Sequence, residues 1–307
     1  MHYGSEVRPE GRGVGVRRQS LRLAVMEAER VLAAAGVGSP RVDAELLAAH
    51  VVGVPRGRLM MQPLVDAEQV EQLVELVSRR AAREPLQHLL GSAVLGPVAV
   101  TVGPGVFTPR PETELLLEWG LAAITEATSP LVVDLCTGSA ALALAVAACR
   151  PDAVVHAVEA DPGALVWARH NISEHAAAGG TPVTLHAADV RWPDLLVDLE
   201  AQVDLVLCNP PYVPDGTPLP PEVAEWDPPG AVYGGPDGLE IIRAVVVAAA
   251  GLLRYGGHLA IEHDDSQGES VPELLRRRRV LTDVAEHRDL AGRPRFATAR
   301  RIGLTPS

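Results

Sequence analysis

The sequence predicts an α/β protein, with a doubly wound, mostly parallel sheet preceded by a small all-helical domain. Two observations carry this. From about residue 112 onward, short continuous apolar runs such as Leu131 to Cys136 and Val203 to Cys208 alternate with longer helix-like stretches. Buried parallel strands joined by crossover helices have this grammar. Before about residue 90 apolar residues recur instead at three- and four-residue spacing, as on helices.

Residues 1–18 are rich in Gly and Arg without periodicity and read as a disordered tail. Leu21, Val25, Ala28, Val31 and Leu32 share one face of a first helix, and a break over Gly36 to Pro40 follows. Val42, Leu46, Leu47 and His50 mark a second helix, and Val70, Leu73, Val74 and Val77 another. Residues 19–92 therefore form a helical domain without a catalytic cluster. Over 93–108 small apolar residues alternate with glycines (Val94, Val98, Val100 and Val102 among Gly96, Gly103 and Gly105), which predicts a hairpin linker. The sheet domain is expected over 109–307.

A helix over Glu112 to Thr125 leads into strands at Leu131 to Cys136, Val154 to Val158, Val183 to Ala187 and Val203 to Cys208. Helices are expected over Ala140 to Cys149, from Asp161, and from Leu239 to Tyr255. A fifth strand spans Gly257 to His263, and two more lie near Val280 to Glu286 and Arg295 to Gly303. Such sheets bind ligands beyond the carboxyl ends of their strands, where the strand order reverses. The chemistry is expected after the first four strands.

Composition narrows the class. The 307 residues carry a formal net charge of −12 and no lysine. No basic stripe for gripping a duplex is visible, since Arg276 to Arg279 sits at an expected helix end that favours cations. No apolar run is long enough to span a bilayer, and Met1 to Ser20 lacks a signal-peptide core, so a cytoplasmic location is expected. Cys136, Cys149 and Cys208 have no C-x-x-C spacing, so neither disulfide nor metal site is expected. Cys149 and Cys208 read as small core residues.

Four strand ends carry the chemistry. After the first strand, Cys136-Thr137-Gly138-Ser139-Ala140 forms a tight turn into a helix, where backbone N–H groups can approach a ligand. By itself this signal does not separate a ligand site from an ordinary turn. About twenty residues on, the second strand ends at Glu159, where a nucleoside-binding fold places an acid to accept ribose hydroxyls. Asp189 and Val190 follow the third strand and can meet an adenine amino group and ring, although Asp189 equally suits a loop cap. The fourth strand ends in Asn209-Pro210-Pro211-Tyr212. Consecutive prolines must begin a loop there, and proline offers a carbonyl without an N–H. The Asn209 side chain and the Pro210 carbonyl can accept both hydrogens of one planar –NH2 group, with Tyr212 offering a flat face. Two rigid acceptors fix the plane of a weakly nucleophilic amide or aryl amine and favour the charge that develops as it attacks a methyl donor.

These features resemble the class I methyltransferases, and more narrowly the PrmC/HemK protein-glutamine methyltransferases. Phe107-Thr108-Pro109-Arg110-Pro111-Glu112-Thr113-Glu114 resembles that family's PRPETE signature. Arg83 to Gly91, Asp134 to Ala140, Val158 to Pro162, Asn209 to Tyr212 and Glu262-His263 also resemble it, over about Leu21 to Gly303 in all. The resemblance implies methylation of the glutamine side-chain amide in the Gly-Gly-Gln loop of class 1 peptide-chain release factors. It implies S-adenosylmethionine bound at Cys136 to Ala140, at Glu159, near Val190 and at Asn209, with the glutamine held by Asn209 to Tyr212. The helical domain over 19–92 would then recognise the protein substrate. A sister group acting on a ribosomal protein typically lacks the Pro109 to Glu112 pattern, and an adenine-N6 methyltransferase shares only the Asn209 to Tyr212 loop. Cys136 and Ala140 stand where the family has glycines, and Glu159 where aspartate is commoner. Ala140 is expected to put its methyl group where the backbone meets the cofactor, and His263 to be a positioned neutral histidine rather than a general base.

Overall fold

A computed structural model describes residues 18–303, so the tail expected over 1–18 lies, apart from Arg18, outside the described residues. The chain divides into two compact units, one up to Leu90 and one from Gly91 onward.

The first unit is built from α1 (Leu21–Ala34), α2 (Pro40–Val52), α3 (Ala67–Ala81) and the short α4 (Leu86–Leu90). A two-residue strand pair, β1 (Gln19–Ser20) with β2 (Leu64–Val65), ties its start to the approach of α3. Proline opens α2, and Gly53 closes it in the left-handed conformation that a side chain would strain. Asp66 caps α3 by accepting the Gln69 N–H at 2.9 Å, and the Gln69 side chain returns the bond at 3.1 Å. Leu21, Val25, Ala28 and Leu32 of α1 are buried as the periodicity predicts.

Two helical faces differ from expectation. In α2 the buried face is Asp43, Ala44, Leu47 and Ala48, while Val42 and His50 are exposed. In α3 Leu73 and Val77 are buried but Val74 is exposed. The reason is an ion pair that hydrophobic patterning cannot see. Arg80 of α3 reaches Asp43 of α2 at 2.8 Å, with both side chains about nine-tenths buried, and also donates to the Glu84 carbonyl. Burying this pair rotates both helices toward it. Removing one partner of a buried pair leaves an uncompensated charge, so Asp43→Ala should cost about 3–5 kcal/mol. Urea unfolding with hydrogen exchange over 21–81 measures this, and a cost near that of an exposed pair would refute it.

The second unit opens with a hairpin, β3 (Ser92–Leu95) and β4 (Val98–Thr101), followed by α5 (Thr113–Ala123). Its sheet strands are β5 (Leu131–Leu135), β6 (Val154–Glu159), β7 (Val183–Ala187), β8 (Val203–Cys208), β9 (Leu253–Glu262), β10 (Leu281–Arg288) and β11 (Pro294–Arg301). The covering helices are α6 (Ala141–Cys149), α7 (Pro162–Ala177), α10 (Glu240–Leu252) and α11 (Ser270–Arg277), with one-turn helices α8 (Pro221–Ala224) and α9 (Pro229–Val232) beyond β8. The hairpin belongs to this unit: Ala93, Leu95, Val98 and Val100 pack into one core with α5, α6 and one face of the sheet. The other face, through Val133, Leu135, Val206 and Ile261, packs on α10 and α11. Both faces of the central strands are covered, which is why those strands read as continuous apolar runs.

The sheet order is β10-β11-β9-β8-β5-β6-β7. The central pairs are parallel, and β11 runs against both its neighbours. The order reverses between β5 and β8, so a crevice opens at their carboxyl ends. Two boundaries shift from expectation. The helix expected to reach Tyr255 stops at Leu252, because β9 begins at Leu253 and Gly256, at φ +79°, accommodates a bulge against β8. Cys149 is exposed rather than core, being the last residue of α6, while Cys208 is buried. No helix among the described residues is long and apolar enough to cross a membrane.

Candidate active site

A cleft of about 540 Å³ lies at this switch point. Cys136, Thr137, Gly138, Ser139, Glu159, Asp189, Val190, Asn209, Pro210, Pro211 and Tyr212 all line it. Ala140 does not.

The turn after β5 is held from below by Asp134, whose Oδ2 accepts the Thr137 hydroxyl at 2.5 Å and the Ala143 N–H at 3.2 Å. Burial pushes the Asp134 carboxyl up to about 7, opposed by those two bonds. Cys136, Gly138 and Ala140 are all left-handed, at φ +59°, +57° and +66°. A Cβ on Gly138 would meet no atom within 4 Å, so open space lies over it. Glu159 at the end of β6 accepts N–H bonds at 2.8 Å from Gly138, Ala160 and Asp161. Burial raises its carboxyl and the three N–H groups oppose that. Glu159 is thus a strut across the turn as well as an acceptor facing the cleft. Asp189 is paired with Arg191, at 2.6 Å and through its backbone N–H, which lowers its carboxyl. Val190 is buried against the second core.

The loop after β8 is fixed from three sides. Asn209 donates through Nδ2 to the Thr113 hydroxyl at 3.1 Å, and Thr113 donates to Glu262 at 2.9 Å. The Tyr212 hydroxyl donates to the other oxygen of Glu262 at 3.3 Å, and the Gln267 side chain donates to the Tyr212 carbonyl at 2.9 Å. Burial raises Tyr212, with Glu262 adding to it, and pushes Glu262 up to about 7. The segment 232–238 closes the remaining side, with a β-bridge from Val213 to Tyr233. A Cβ on Gly234 would come within 2.5 Å of the Pro211 carbonyl, so only glycine fits there. At the mouth Arg110 lies over the Phe107 ring and pairs with buried Asp227 at 2.6 Å. His263 faces away from the cleft, its two ring nitrogens against the Asp264 carbonyl and Glu286, so neither is free to act as a base.

A family model described as the PrmC N-terminal domain matches residues 24–91, and one for the methyltransferase small domain matches residues 98–219. A release factor glutamine methyltransferase of Mycolicibacterium smegmatis is 53% identical over 282 residues, 92% of this chain and 98% of that protein. The chain belongs to the release factor glutamine methyltransferase family. Proteins of the same name from Mycobacterium tuberculosis and Streptomyces coelicolor are 48% and 46% identical, spanning 94% and 90% of this chain and 93% and 96% of those proteins.

Within this family member, sequence reading names the cleft wall but misses its supports. Thr113 carries no label of its own inside the Arg110 to Glu114 run, and Gln267 is an ordinary polar residue in sequence. Gly234-Gly235-Pro236-Asp237-Gly238 was visible as turn material, a signal that could have found the fourth wall.

Ala140 is a correction. Its methyl group is fully buried in the core beneath the turn, so the cost of alanine there is backbone strain and not lost ligand space. Left-handed backbone costs about 1–2 kcal/mol, offset by about 0.8 kcal/mol from the buried methyl group. Ala140→Gly is therefore expected to change stability by no more than about 1 kcal/mol and to leave affinity for S-adenosylmethionine unchanged. Thermal melts and titration calorimetry test this, and tighter binding in the variant would put the methyl group back in the cleft.

Proposed function

We propose that the chain transfers a methyl group from S-adenosylmethionine to the side-chain amide nitrogen of the glutamine in the Gly-Gly-Gln motif of class 1 peptide-chain release factors. One observation carries the reading. Among the described residues nothing donates a hydrogen bond to Asn209 Oδ1 or to the Pro210 carbonyl, and both residues line the cleft beside the Gly138 turn. Two adjacent unclaimed acceptors on a rigid loop are complementary to one –NH2 group.

The residues fit the cofactor as well. Glu159 keeps acceptor capacity for ribose hydroxyls beyond its three N–H bonds, Val190 offers an apolar wall, and Gly138 leaves room for close approach. Asp189 can meet an adenine amino group on the lone pairs that Arg191 leaves. S-adenosylmethionine supplies an electrophilic methyl group on a sulfonium. The protein then has three tasks: hold the amide plane, aim the nitrogen and exclude water. Asn209 and Pro210 do the first two, through acceptors that strengthen as the –NH2 group gains positive charge. Tyr212 and Pro211 wall the planar group. Asparagine is neutral and no histidine among the described residues lines the cleft, so the surplus proton of the methylated nitrogen is lost to water after transfer, once the site reopens.

Asn209→Ala should lower the single-turnover rate by about two to three orders of magnitude with cofactor saturating, while cofactor affinity falls less. Near-wild-type transfer by that variant would sink the mechanism. Glu159→Ala should weaken S-adenosylmethionine binding by about 1.5–3 kcal/mol in titration calorimetry, the worth of a charged hydrogen bond. Recognition of the intact partner is assigned to the helical unit up to Leu90. A chain beginning at Gly91 should still bind the cofactor yet methylate intact release factor poorly, and full-rate processing would place recognition elsewhere.

A further inference from the structure

Asparagine presents an oxygen on one side of its planar amide and an –NH2 group on the other, and only its hydrogen-bond partners decide which side faces where. For a loop that must accept two hydrogens from a substrate, that choice is decisive. With the amide reversed, the donor end of Asn209 would confront the substrate –NH2, and one of the two acceptors would be gone.

The structure contains a device that makes the choice. Thr113 Oγ1, at the first residue of α5, lies 2.9 Å from Glu262 Oε2 and 3.1 Å from Asn209 Nδ2. A hydroxyl has one proton, and Glu262, once ionised above about pH 7, can only accept. The Thr113 proton is therefore committed to Glu262, and Thr113 Oγ1 is left with lone pairs toward Asn209. Only the Nδ2 end can pair with it, and Oδ1 is turned to the opposite side. The other oxygen of Glu262 takes the Tyr212 hydroxyl at 3.3 Å. Thr113 is 4% exposed and Glu262 1%, so water does not compete for these bonds. Glu262 itself does not line the cleft, whereas Thr113, Asn209 and Tyr212 do.

We propose that Glu262 is a positioning residue for methyl transfer, which orients the Asn209 amide through Thr113 and holds the Tyr212 ring directly. The role rests on the methyl-transfer reading above. One buried carboxylate thereby sets both ends of the Asn209 to Tyr212 loop without touching substrate.

The test is a double-mutant cycle on the full chain, with S-adenosylmethionine and an intact release factor. Thr113→Val keeps the β-branched shape and removes the hydroxyl, and Glu262→Met removes the carboxylate at similar length. Each should lower kcat by about tenfold to a hundredfold, with cofactor affinity held within about threefold. The double variant should be no slower than Glu262→Met alone, because the two act in one chain. Thr113→Ser, which keeps the hydroxyl, should restore most of kcat. A second measurement is independent of turnover. Asn171 and Asn209 are the only asparagines in the chain, so nitrogen-15 asparagine labelling resolves both side-chain –NH2 groups. Exchange of the Asn209 –NH2 protons with water should quicken about tenfold in Thr113→Val relative to Asn171, whose own bonds to Thr101 and Ser139 are untouched. Additive losses in the cycle, or unchanged Asn209 exchange, would overturn the positioning role. Absence of transfer by the wild-type chain would instead overturn the methyl-transfer reading, and the exchange measurement would still decide the orientation of Asn209.

Discussion

Everything at the cleft depends on one pairing: β5 and β8 lie side by side and parallel, with Leu135 opposite Cys208. The chain leaves both strands at the same edge, so the Cys136 to Ala140 turn and the Asn209 to Tyr212 loop emerge next to each other. Between the two strands in sequence, the chain has gone out along β6 and β7 on the other side. The reversal of direction is what leaves a crevice where a helix would otherwise pack. The turn and the loop that are proposed to hold a nucleoside and an –NH2 group are neighbours because of sheet order, before any side chain is considered.

Side chains then make that crevice rigid through buried and half-buried acids. Asp134, Glu159 and Glu262 each sit at or near a strand end, each is pushed toward its protonated form by burial, and each takes hydrogen bonds that oppose the shift. Asp134 and Glu159 brace the turn, and Glu262 braces the loop. Positive groups nearby are already matched, Arg110 with Asp227 and Arg191 with Asp189. Among the described residues the cleft therefore offers no spare cation, which suits a sulfonium donor and an uncharged amide and suits a phosphate-rich ligand poorly.

The wall of the site was legible in the sequence because strand ends in a doubly wound sheet are legible. Apolar runs locate the strands, and the residues that follow them must face the crevice. Thr113 and Glu262 stood in the sequence as members of the Phe107 to Glu114 and Glu262-His263 runs, but their role in supporting the wall was not legible, because they meet from distant segments. Thr113 and Glu262 are 149 residues apart, and no local pattern announces that one hydroxyl will be shared between Glu262 and Asn209. The same blindness explains the rotated face of α2. Hydrophobic periodicity treats Asp43 as a surface residue, and only the presence of Arg80 makes its burial affordable. Ala140 shows the converse: the deviation was visible in sequence, but which way its Cβ points follows from a left-handed φ that sequence does not state.

One feature of the sheet bears on how the protein is made. The last strand of the sheet in chain order, β11, does not add to an edge. It inserts between β9 and β10 and lies directly beside Glu262 through the pairing of Phe296 with that residue. Until it arrives, β9 has an unpaired side and the carboxylate that braces the Asn209 to Tyr212 loop has no β11 neighbour to shield it. Synthesis proceeds at about 5–20 residues per second, so seconds separate the making of β9 from the making of the strand that covers its open side.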